Sequence, residues 1–258
     1  MPFTNIEVGS VGPRGNIALN RPDKLNPLGT ETLRALVDAA HWLDEQPEVK
    51  VVVLSGNGRA FSAGADVALF SGDDPGVAAR RKAADAGRQM AEAIEAMRAV
   101  TIARIHGHCV GGAVLLAAAC DLRVAADTTR FSIPELQLGI PLGWGGIPRL
   151  VREIGPAMTK ELVLTCRPFT AEEARGLGFV NRVVGERLLD ETIEELAAQL
   201  VEKSALTLAA TKLAVNAASR AIASTSGAWS DADVLLTALS DPESRRVADD
   251  YLERLDRR

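Results

Sequence analysis

Apolar residues in the early part of the chain fall into short, often β-branched runs separated by stretches with helical spacing. Asn16 to Leu19 predicts a short strand. Leu33, Leu36, Val37, Ala40 and Leu43 recur at helical intervals, with Thr30 as the expected N-cap and Pro47 just past the end. Val51 to Leu54 is an unbroken β-branched and leucine run closed by Gly56, which predicts a strand buried on both faces of a covered sheet. A glycine-bearing loop follows from Gly56 to Asp66, then a helical pattern from Val77 to Ala99, then a strand from Thr101 to Ile105 ended by Gly107.

Gly111 to Ala119 is rich in Ala, Val and Leu and reads as a buried helix. Leu122 to Ala126 and Arg130 to Ser132 are the next strands. Thr170 and Glu173 have capping-box spacing and mark a helix start. Phe179 to Val184 reads as the last strand, and from about Arg187 only helical patterns remain. Early strands and late helices predict an α/β core with a helical C-terminal appendage. That appendage is too small to bury its own apolar face, so it is expected to pack on the core or on another subunit.

Composition narrows the function. The chain has 258 residues, 47% hydrophobic and 24% charged, as in ordinary globular domains. A net charge of −5 and an aromatic share of 4% argue against a nucleic-acid partner. Cys109, Cys120 and Cys166 form no C-x-x-C pair and read as three buried or idle thiols in a reducing cytosol. Met1 to Glu7 does not look like a leader, and the longest apolar stretch, Val110 to Cys120, is too short for a membrane span. The expectation is a cytoplasmic protein with no membrane partner. His106 and His108 have no third ligand at metal-binding spacing, so no metal is expected.

Three segments carry candidate chemistry. In Arg59 to Asp66, small residues and Gly64 follow a buried strand, so that the backbone N–H of Ala65 could point outward at a ligand; read alone, a plain glycine turn capped by Asp66 is the commoner outcome. In Ile105 to Leu115, a strand ends in a glycine pair before an apolar helix. The first helical turn has unpaired N–H groups, and Gly112 presents one with no side chain in the way; close helix packing through small residues is the alternative. In Phe131 to Ile140, Glu135 is a single acid in apolar surroundings. Burial would raise its pKa and suit it to accept and return a proton, whereas an exposed loop carboxylate would have no such role.

Together these segments resemble the enoyl-CoA hydratase/isomerase, or crotonase, superfamily. Leu19-Asn20-Arg21-Pro22-Asp23-Lys24-Leu25-Asn26 is similar to its L-N-R-P-x-x-x-N motif, and Ala60 to Asp66 to its A-F-x-A-G-A-D loop. His106 to Asp121, Phe131 to Gly139 and Ala171 to Val184 match three further blocks, so the resemblance runs from about Ile6 to Tyr251. It implies a crotonase-like ββα spiral core over residues 1–190 and a helical trimerisation region over residues 191–258, assembled as a homotrimer or hexamer. It implies an acyl-CoA or enoyl-CoA substrate, with coenzyme A as part of that substrate and no permanently bound cofactor. By carry-over, Ala65 and Gly112 supply two oxyanion N–H donors. Lys24, Leu25, Ala63, Ala65 and Asp66 border the coenzyme, and Arg254 stands where the family often has a lysine meeting the CoA phosphate of a neighbouring subunit.

The chain departs from the hydratase pattern at two places. Family hydratases carry a second glutamate one helical turn after the oxyanion glycine; here that position is Leu115. Asp73 and Asp74 are the acids left to replace it. Trp144 stands where the family commonly has a small residue, and is expected to narrow the acyl pocket or to pack into the core. One carboxylate suffices for a proton shuttle, so the expected reaction is 3-enoyl- to 2-enoyl-CoA isomerisation. Hydration, with an unplaced second acid, and acyl-CoA binding without turnover are the alternatives.

Overall fold

A computed structural model of the chain describes residues 3–66 and 76–256. The acids expected at Asp73 and Asp74 lie outside the described residues. The main sheet contains β1 (Ile6–Val11), β2 (Arg14–Leu19), β3 (Val51–Gly56), β4 (Val100–Ile105), β6 (Leu122–Ala126) and β9 (Arg182–Val184) in that spatial order. β1 is antiparallel to β2, and every later pairing in this sheet is parallel. A smaller sheet holds β5 (His108–Val110), β7 (Arg130–Ser132) and β8 (Phe169–Thr170) in that order.

The period-two geometry of the strands explains the unbroken apolar runs. Val52, Leu54 and Ala103 face the large core with α1 (Thr30–Asp44), α2 (Val77–Ala96) and α3 (Gly112–Ala119). Their neighbours Val51, Ile102 and Val124 face the opposite side, where Leu189, Ile193 and Leu196 of α6 (Leu189–Val201) cover them. Each large apolar side chain buried this way contributes roughly 1.5–3 kcal/mol.

Two elements differ from expectation at their ends. Gly29, not Thr30, is the N-cap of α1, and no side chain caps it. The reason is tertiary: Leu28 is bridged to Ala65, so the chain stays extended until Gly29, whose carbonyl accepts the Leu33 N–H at 2.9 Å. The last strand is confined to Arg182–Val184, because Arg123 claims the chain before it. Its guanidinium donates to the Phe179 carbonyl, and its N–H bonds Asn181 Oδ1 at 2.7 Å. The cap expected at Thr170 is present: its hydroxyl accepts the Glu173 N–H at 3.1 Å and starts α5 (Ala171–Gly176).

The remaining helices are α4 (Gly146–Thr165), α7 (Ala205–Ile222), α8 (Asp231–Ser240) and α9 (Pro242–Asp256). Lys212 ties α7 to the core through the Ala99 carbonyl at 3.0 Å and Asp121 at 2.8 Å. Arg81 of α2 pairs with Asp233 of α8 at 2.7 Å, which docks the C-terminal helices over the middle of the chain. All three cysteines are buried free thiols, and burial pushes Cys109 and Cys120 up. Among the described residues no helix is long and apolar enough to cross a membrane.

Candidate active site

The loop after β3 is braided to three other segments by its backbone. Asn26, almost fully buried, accepts the Arg21 N–H at 2.9 Å and donates to the carbonyls of Asn57 and Ala60, both at 2.9 Å. The Ser62 hydroxyl donates to the Asn26 carbonyl at 2.7 Å and accepts the Gly64 N–H at 3.0 Å. Ser62 also exchanges backbone bonds with β5, to His108 at 3.0 Å and from Val110 at 3.2 Å. On the other edge, the Leu28 N–H reaches the Gly64 carbonyl at 2.8 Å and the Asp66 N–H the Leu28 carbonyl at 3.4 Å. This braid leaves the N–H of Ala65 with no protein acceptor among the described residues.

Gly112 begins α3, so its N–H has no intrahelical acceptor. The two donors belong to touching segments. A methyl group built on Gly64, whose φ is 91°, would lie 2.3 Å from the Val110 carbonyl oxygen and 3.5 Å from the Gly112 nitrogen. Glycine at 64 is therefore required twice, by its left-handed backbone and by that approach.

Glu135 enters beside the same helix start. It opens a short 3-10 turn, Glu135–Leu138, that Gly139 ends at φ 66°. Gly111, at φ 53°, leaves room for it: a methyl there would fall 2.5 Å from Glu135 Oε1. The carboxyl is buried, Oε2 has no hydrogen-bond partner among the described residues, and burial pushes the pKa up to about 7. A carboxyl with that value is half-ionised near neutrality and can both take and return a proton. Leu115, one turn into α3, is fully buried, and a methyl on Gly146 would come 2.6 Å from its Cδ2.

Trp144 stands over the helix start. A methyl on Gly112 would be 2.4 Å from indole Cζ3, and one on Gly87 of α2 only 1.9 Å from Cδ2. Two glycines, one from each helix, thus form the seat of the ring. The other expected residues divide into two groups. Lys24 is exposed at the end of the Pro22–Lys24 turn, the Leu25 carbonyl accepts the Ala63 N–H at 2.8 Å, and Asp66 pairs with Arg21 at 3.4 Å, all on the braid that carries Ala65. Arg254 is exposed on α9 and donates to the Asp250 carbonyl of its own helix at 2.9 Å.

Several participants escape sequence reading. Asn26 and Ser62 hold the braid, although Asn26 sits in the motif quoted above. Asp231 and Arg149 hold the Trp144 turn across 86 and 5 positions of chain, respectively. A cleft of about 310 Å³ lies between Ile147, Pro148 and Val151 of α4 and the segment from Ala223 to Asp231; it shares Asp231 with the Trp144 turn and includes neither Glu135 nor Gly112.

Comparison with known proteins identifies the family of the chain. A family model described as enoyl-CoA hydratase/isomerase matches residues 15–258. A crotonyl-CoA hydratase of Syntrophomonas wolfei is 35% identical over 217 residues, spanning 84% of this chain and 83% of that protein. A peroxisomal Delta(3,5)-Delta(2,4)-dienoyl-CoA isomerase of Arabidopsis thaliana is 36% identical over 208 residues, 76% of this chain and 75% of that one. The crystal structure of an enoyl-CoA hydratase from Mycobacterium avium subsp. paratuberculosis superposes with a TM-score of 0.87 at 26% identity, covering 96% of this chain and 99% of that one.

Proposed function

Because the chain belongs to the enoyl-CoA hydratase/isomerase, or crotonase, family, we propose that it binds an enoyl-CoA thioester through the N–H groups of Ala65 and Gly112 and moves a proton with Glu135. The observation that carries this reading is the buried Glu135 carboxyl, with Oε2 unpartnered among the described residues, beside the start of α3. Removing a proton next to a thioester places negative charge on the carbonyl oxygen. Two fixed donors in a dry site stabilise that charge without reorganising, and loss of one such donor costs roughly a hundredfold or more in rate.

The favoured reaction is isomerisation of a 3-enoyl-CoA to the 2-enoyl-CoA. The Glu135 carboxylate takes a proton from C2, the electron pair spreads onto the thioester oxygen, and the same carboxyl returns the proton to C4 as the double bond moves. No water enters the balance. Leu115 supports this choice, because an apolar side chain offers an attacking water no second partner. Hydration is the second reading, favoured by the names of relatives such as the crotonyl-CoA hydratase of Syntrophomonas wolfei. Coenzyme A enters only as part of the substrate, against Lys24, Leu25, Ala63 and Asp66. Exposed Leu206, Leu213, Val215 and Ile222 on α7 suit a homotrimer or hexamer in which Arg254 meets a neighbour's CoA phosphate.

Glu135→Gln tests the proton carrier. The amide keeps the shape and cannot accept the proton, so turnover should fall by about a hundredfold or more while CoA-ester binding persists. Wild-type turnover in this variant removes Glu135 from the mechanism. Assaying the purified protein on matched 3-enoyl and 2-enoyl esters separates the two reactions: isomerisation should exceed hydration, and efficient hydration without detectable isomerisation overturns the single-acid choice.

A further inference from the structure

Trp144 and Gly145 form two consecutive left-handed residues, with φ of 59° and 66°. Gly145 adopts this region freely, but a bulky aromatic residue does so only when its surroundings force it. Two side chains supply the force, Arg149 from the next helical turn and Asp231 from 86 residues on. Arg149 Nη1 donates to the Trp144 carbonyl at 3.2 Å and to the Gly145 carbonyl at 3.1 Å, while Glu95 holds the same guanidinium at 2.7 Å. Asp231 Oδ2, at the first residue of α8, accepts the Gly145 N–H at 2.7 Å. Asp231 is half-buried, and a methyl on Gly143 would lie 3.6 Å from its Cβ, so the carboxylate sits in the bend of the turn. The strained turn in turn presses the indole onto Gly112, one of the two expected oxyanion donors.

From this chain of contacts we propose that Asp231 is a positioning residue: it fixes the strained Trp144–Gly145 turn and thereby the indole wall beside the Gly112 N–H. The inference rests on the reading of Gly112 as an oxyanion donor. It assigns the C-terminal helices a part in the site, because α8 delivers the carboxylate and Arg81 of α2 pins α8 through Asp233. Asp231→Asn keeps an oxygen acceptor and should behave as the parent. Asp231→Ala removes it and frees the turn.

The test uses the protein with Trp42→Phe and Trp229→Phe, so that Trp144 is the sole tryptophan and is excited selectively over Tyr251, and a 2-enoyl-CoA and a 3-enoyl-CoA as probes. Asp231→Ala should shift Trp144 emission to the red, raise its quenching by iodide, and lower kcat about tenfold with a smaller change in KM. Asp231→Asn should restore all three. In a Trp144→Ala background, Asp231→Ala should have little further effect on kcat, because its effect runs through the indole. Should Asp231→Ala not fold, Asp231→Glu keeps the charge and moves the acceptor, and the same emission and kcat changes are expected. Unchanged emission in the folded variant, or an equal loss of kcat with and without Trp144, overturns the proposal. Normal turnover in Glu135→Gln would instead sink the assignment of the site, and the emission result would still decide the tether.

Discussion

Burying Glu135 has a thermodynamic signature separate from its chemistry. Its folded pKa of about 7 lies above the ordinary glutamate value of 4.5, so between those values the folded protein holds a proton that the unfolded chain has lost. Stability contributed at low pH therefore declines as pH rises from about 4.5 through about 7, by roughly 3 kcal/mol in all. Glu135→Gln should abolish that slope; urea titrations of both proteins across this range check it, and parallel curves would contradict the burial argument. In the proposed isomerase the same group must start ionised, so kcat/KM should rise with pH through about 7. The burial of Glu135 was legible because one acid stood alone among apolar residues. Asn26 was not, because three of its backbone partners, the carbonyls of Asn57, Ala60 and Phe61, are brought to it only by the fold.

Elements whose signals are local were read correctly. The run from Val51 to Leu54 became a strand covered on both faces, and Thr170 caps its helix as the spacing required. Thr170→Ala should cost about 1 kcal/mol, measurable by denaturant titration, with turnover unaltered. Elements whose ends depend on distant partners were not legible: Gly29 replaced Thr30 as the cap of α1 because of the Leu28–Ala65 bridge, and the last strand was shortened by Arg123. Edge strand β1 escaped notice because its residues are mostly half-exposed and follow no clean alternation. The glycine pair at the start of α3 was legible as a feature, but the room that Gly111 leaves for Glu135 appears only in space. Gly111→Ala should displace Glu135, since the new methyl would overlap its Oε1, and at φ 53° the backbone is strained as well. A large loss of turnover with retained folding, checked by circular dichroism, is expected.

At the scale of the whole molecule, the candidate site is a seam. The braid around Ala65, the start of α3, the Glu135 turn and the Trp144 turn come from four separate stretches, and the C-terminal helices close over the last two. α9 packs so tightly on the Glu135 turn that a methyl on Gly139 would fall 2.0 Å from the Ser244 carbonyl. In the proposed function, the reaction type depends on how that seam is furnished. Leu115→Glu should raise hydration relative to isomerisation, because a second carboxylate could then hold the water. Its burial against Gly146 predicts a stability loss of several kcal/mol, so folding must be verified by thermal melting before the rates are compared. An unaltered ratio of the two activities in a folded variant would mean that Leu115 does not set the reaction. The most direct test of the whole account is the infrared spectrum of an enoyl-CoA, isotope-labelled at the thioester carbonyl, bound to Glu135→Gln. Donation from Ala65 and Gly112 predicts a carbonyl band shifted clearly to lower frequency than in water. A stoichiometric complex with an unshifted band would contradict the oxyanion site.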